Sequence, residues 1–79
     1  MVETRTAARY RLSKPAKIEF GGWEIDCRVR NISVTGAALE VSSQYGIPEE
    51  FNLVVPADGL NLPCHIVWRQ DYRIGVAFR

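Results

Sequence analysis

Two short groups of residues carry most of the chemistry this sequence can offer. Arg5 and Arg9 stand at an RxxxR spacing near the N-terminus, and Asn31, Ser33 and Gly36 form an NxSxxG spacing further on. A guanidinium presents a planar fork of donors that pairs bidentately with phosphate oxygens or with guanine O6 and N7, and it also stacks on a purine face. Asn31 offers an amide oxygen and an NH2, Ser33 a hydroxyl, and Gly36 a backbone open to close approach. Each group has a plain explanation when taken alone. The chain has eight arginines, so an RxxxR pair arises readily by chance. Asn, Ser and Gly together also make a tight turn without any ligand.

Other chemistry is poorly supplied. The single histidine, His65, lies between Cys64 and Ile66, with no Ser or Asp close in sequence to complete a proton relay. Cys64 and His65 are neighbours on one strand and so point to opposite faces, which rules them out as a nucleophile–base pair. Glu49 and Glu50 fall in a loop and read as solvated. There is no glycine-rich loop leading into a helix to cradle phosphate. Cys27 and Cys64 are far apart, with no CxxC pair and no metal-ligand spacing, so both are expected to be small buried hydrophobes. The inventory points away from an enzyme and calls for no cofactor.

Charge is distributed unevenly. The formal net charge is only +1, but residues 1–17 carry Arg5, Arg9, Arg11, Lys14 and Lys17 against Glu3 alone. The stretch 31–79 is acidic on balance, with Glu40, Glu49, Glu50, Asp58 and Asp71 against Arg69, Arg73 and Arg79. A basic segment on a nearly neutral body suits one compact anionic ligand better than a nucleic-acid polymer. No stretch is long and apolar enough to span a membrane, and no apolar leader follows the N-terminus, so a cytoplasmic protein is expected.

These residues must be held by strands, because the apolar pattern has period two almost throughout. The alternation predicts strands over 16–20, 23–29, 37–41, 51–55, 62–68 and 74–78. Turn signals separate them at Gly21-Gly22, Asn31–Gly36, Pro56–Gly59 and Asp71-Tyr72. Trp68 falls in step with Ile66 and is expected in the core, and Trp23 and Tyr72 also read as packing residues. Short antiparallel strands at regular spacing predict an all-β domain, and in 79 residues a closed barrel best removes exposed edges. The expected organisation is a single domain over 1–79. Residues 1–14 form a flexible basic segment and 15–79 a small six-stranded antiparallel barrel, with no or minimal C-terminal helix.

In this order and on these elements, the two motifs are more specific than either alone. The chain resembles the PilZ domain, a bacterial module whose members commonly bind cyclic di-GMP. Its signatures are RxxxR in an N-terminal loop and [D/N]xSxxG between two barrel strands. Tyr10-Arg11-Leu12, Gly36–Val41 and the closing Ile74–Phe78 look familial too. The resemblance implies a six-stranded antiparallel barrel in which Arg5 and Arg9 clamp the dinucleotide while Asn31, Ser33 and Gly36 seat a guanine. Two departures stand out. Many relatives carry tandem arginines where this chain has Thr4 before Arg5, which leaves the number of bound nucleotides open and makes Arg11 a candidate substitute. Many also add a C-terminal helix, whereas here the sequence stops at Arg79, leaving one barrel opening bare or covered by a partner or a second copy. Arg69, at a strand end, reads either as a surface charge or as a further ligand contact.

The resemblance implies a cyclic di-GMP receptor that signals through contact with a downstream protein. Two other readings remain open on the sequence: an adaptor of the same family that binds no nucleotide, and a barrel binding single-stranded nucleic acid. The low net charge and the lack of an aromatic stripe on the polar faces count against the last.

Overall fold

The computed structural model describes residues 10–79. The strands are β1 (Tyr10–Phe20), β2 (Trp23–Ile32), β3 (Gly36–Glu40), β4 (Glu50–Val55), β5 (Leu60–Gln70) and β6 (Arg73–Phe78), with a 3-10 turn, Pro56–Asp58, before β5. All neighbours are antiparallel, and the sheet closes in the order β1-β2-β3-β6-β5-β4. The expected all-β barrel of six strands is therefore the observed fold.

Alternation explains the interior. Ile18, Leu39, Leu53 and Ile74 are fully buried, and Ala16, Cys27, Val29, Val55, Cys64 and Val76 fill the space between them. Partners across the ladder share a face, as in Ile18 opposite Ile25 and Leu39 opposite Ile74. Gly21 and Gly22 both have positive φ, 52° and 86°, the requirement of a type I′ hairpin whose twist matches that of the strands it joins. Gly59, at φ 65°, ends the 3-10 turn by donating its N–H to the Pro56 carbonyl.

Three strands run further than the alternation suggested, and each extension passes an irregularity in register. β1 starts at Tyr10 rather than Ala16, with a bulge between Arg11 and Lys14. β2 reaches Ile32, so Asn31 lies on a strand rather than in the turn, and its pairing to β3 shifts between Val29 and Asn31. β5 runs to Gln70 past a shift between Ile66 and Trp68. A bulge inserts one residue and turns everything beyond it to the opposite face. That is why Trp68 is not a core residue: it is 41% exposed on the outer surface. Trp23 and Tyr72 are also exposed, at hairpin ends, rather than packed. Both cysteines are free and buried as expected. Among the described residues no helix is long and apolar enough to cross a membrane.

Candidate functional site

The NxSxxG residues come together where β2 turns into β3. Ser33 builds the turn. Its N–H donates to the Gly36 carbonyl at 2.8 Å, and its hydroxyl oxygen accepts the Thr35 N–H at 3.3 Å. The Thr35 carbonyl in turn accepts the Phe78 N–H at 2.8 Å, tying the turn to β6. Gly36 is needed for space rather than for a left-handed backbone. A Cβ there would overlap the Val76 carbonyl oxygen of β6, so the close approach that glycine permits is that of the neighbouring strand.

Asn31 owes its direction to the bulge. Val29 stands opposite Leu39 and faces the core, and simple alternation would send Asn31 inward as well. The extra residue, Arg30, instead places Asn31 opposite Ala38, on the outer face. Arg30 itself is paired with Glu40 at 3.5 Å. On the other side of the same face, the bulge in β5 places Trp68 opposite Gly75. The indole occupies the space above that glycine, where a Cβ would overlap its ring atoms.

Together these residues bound an open cavity of about 360 Å³. Asn31, Ser33 and Thr35 form a polar rim, Val67 and Trp68 an apolar wall, and Gly36, Ala38 and Ala77 contribute a flat floor of small residues. Among the described residues, none of the lining side chains is ionisable. The arrangement suits a planar heteroaromatic ring, one edge meeting amide and hydroxyl groups and a face or flank meeting the indole. Thr35, Val67 and Trp68 were not singled out by the sequence. For Trp68 the period-two alternation gave a misleading answer, because a one-residue bulge leaves no mark in composition.

Arg5 and Arg9 lie outside the described residues. The structure does show where the chain enters the barrel: Tyr10 pairs with Ile32 and Arg11 with Asn31, beside the turn that carries Ser33. Arg69 has a structural task. Its guanidinium donates to the Gln44 side-chain oxygen and the Ile47 carbonyl, both at 3.2 Å, and to Glu49 at 2.9 Å, pinning the loop between β3 and β4. A larger cavity of about 630 Å³ opens at the other end of β3, lined by residues that include Ala16, Cys27, Val41 and Pro56. Asn31, Ser33 and Gly36 do not line it.

The described residues thus form a closed antiparallel barrel with a polar–aromatic cavity at one hairpin. The family model for the PilZ domain matches residues 3–79, and the chain belongs to that family. No curated protein matches the sequence significantly.

Proposed function

We propose that this protein is a cytoplasmic receptor for cyclic di-GMP that acts without catalysis and passes its signal to a downstream protein by contact. The observation that carries the reading is the convergence of Asn31, Ser33 and Trp68 on one cavity beside the entry of the chain into β1. Family membership supports the choice of ligand. In this reading a guanine sits on the small-residue floor against the Trp68 indole. Its polar edge meets the Asn31 amide, and the Ser33 hydroxyl adds an acceptor. The described lining carries no ionisable side chain, so neutralising two phosphates falls to Arg5 and Arg9, with Arg11 next in the chain. Gly36 supports the site by letting β6 approach the turn. Arg69 is committed to its loop and takes no part.

Tryptophan fluorescence tests the assignment. With Trp23→Phe, Trp68 is the single indole, and titration with cyclic di-GMP should quench it saturably. An emission unchanged at ligand concentrations that calorimetry shows to be saturating would remove Trp68 from the site.

One observation favours a second reading, an adaptor that needs no nucleotide. The roles of Ser33 and Gly36 are already accounted for by turn closure and strand packing, so a fold-only requirement would retain both. A downstream partner that binds equally with and without cyclic di-GMP would select this reading.

A further inference from the structure

The β1–β2 hairpin extends beyond the strand that should flank it. β3 pairs with β2 only from Arg28 onward, so among the described residues Trp23–Cys27 has β1 on one side and no strand on the other. Pro15, which has no N–H, stands opposite Arg28. Arg28 therefore turns its main-chain groups away from β1, and by alternation Asp26 and Glu24 do the same. Among the described residues nothing pairs with that row of donors and acceptors. On the core-side face of the stretch, Trp23 is 71% exposed. Further along the same strand, the 630 Å³ cavity floored by Ala16 and Cys27 opens beside Asp26 and Arg28.

An open strand edge accepts an extended chain, because only main-chain groups at strand spacing can satisfy it. A second copy of this protein is a poor occupant. Antiparallel self-pairing centred on Glu24, Ile25 or Asp26 sets acidic side chains opposite one another, which is unfavourable. Asp26 is already held by Lys17 at 2.7 Å, while Glu24 makes no salt bridge among the described residues. Glu24 also faces Glu19 across the hairpin. The outer face of this edge thus calls for cations.

We propose that the β2 edge at Trp23–Asp26 is a docking site for an extended segment of a partner protein, added as a further strand. The segment is basic on its outer face and apolar on the face toward Trp23 and the cavity. The proposal rests on the β2 edge alone and holds whether or not the opposite end of β2 binds a nucleotide.

The test uses the full chain and a short synthetic peptide alternating lysine and valine, with amide exchange followed by NMR. The peptide should slow exchange of the Glu24 and Asp26 amides by about tenfold or more, leaving the Ser33–Gly36 turn unaffected. Glu24→Pro removes an edge donor without removing a ladder bond to β1, and should abolish that protection. Should that variant fail to fold, Glu24→Lys decides: it should weaken the lysine peptide about tenfold and favour a glutamate–valine peptide instead. Protection confined to other strands, equal binding of both peptides by the natural chain, or self-association through Trp23 would each overturn the proposal.

Discussion

The Trp68 indole lies over Gly75, in space that no side chain at position 75 could share. Two residues on neighbouring strands thus place an aromatic wall beside the polar turn of the β2–β3 hairpin. Because the overlapping atoms belong to a side chain, they can move. Gly75→Ala should swing the indole aside at a small stability cost of about 1 kcal/mol, while lowering affinity for cyclic di-GMP by about tenfold, or 1.4 kcal/mol. Calorimetry and urea unfolding of the same variant separate the two effects. Unchanged affinity with a displaced indole would take Trp68 out of the binding account.

Gly36→Ala should behave in the opposite way. There the obstacle is the Val76 carbonyl, a backbone atom of a strand hydrogen-bonded on both sides. Overpacking at such a point costs about 1–3 kcal/mol, a large fraction of what a chain this short can have. A marked fall in the urea midpoint is expected. Full retention of stability would mean that β3 and β6 do not meet as described.

Arg69→Ala should release the loop between β3 and β4 without affecting the ligand. Its three acceptors, Gln44, Ile47 and Glu49, all lie in that segment. Such partly exposed contacts contribute about 0.5–1.5 kcal/mol. The expected result is faster amide exchange around Ile47 with unchanged affinity for cyclic di-GMP. A loss of affinity would reassign Arg69 to the site.

The buried thiols set a pH dependence. Burial pushes Cys27 up to about 12 and Cys64 up to about 11, from an ordinary value of 9.0; for Cys64 the positive charge of Arg79 acts in the opposite direction. A group whose folded pKa is raised leaves stability intact below its unfolded pKa and erodes it as pH climbs toward the folded value. Stability should therefore hold to about pH 8 and then fall, by up to about 1.4 kcal/mol per pH unit for each thiol. Cys27→Ala should flatten that slope in urea titrations between about pH 8 and about pH 10. The same slope with and without the thiol would contradict the assignment.

Much of this molecule is legible in the order of its residues. Alternation around Ile18, Leu39, Leu53 and Ile74 is enough to predict six strands and their inward faces. Gly21-Gly22 and Pro56–Gly59 announce their turns through backbone requirements that few other residues meet. What alternation could not reveal is where a strand gains a residue. The bulges at Arg30 and Val67 turn Asn31 and Trp68 outward, and nothing in the local residue types distinguishes them from regular strand. The face of the candidate site depends on those two insertions. The sequence therefore indicated the polar half of the site, at Asn31 and Ser33, and concealed the aromatic half. The long reach of β1 was hidden for a similar reason, since its bulge interrupts the alternation just before Pro15.

In the proposed function, the polar turn and the basic N-terminal residues act together on one anionic ligand. Titration calorimetry of the chain with cyclic di-GMP tests it most directly, run beside Arg9→Ala and Asn31→Ala. Saturable binding at micromolar concentration or tighter is expected, weakened about tenfold or more by either substitution. An absence of heat with the folded natural chain, or an affinity indifferent to both substitutions, would contradict it.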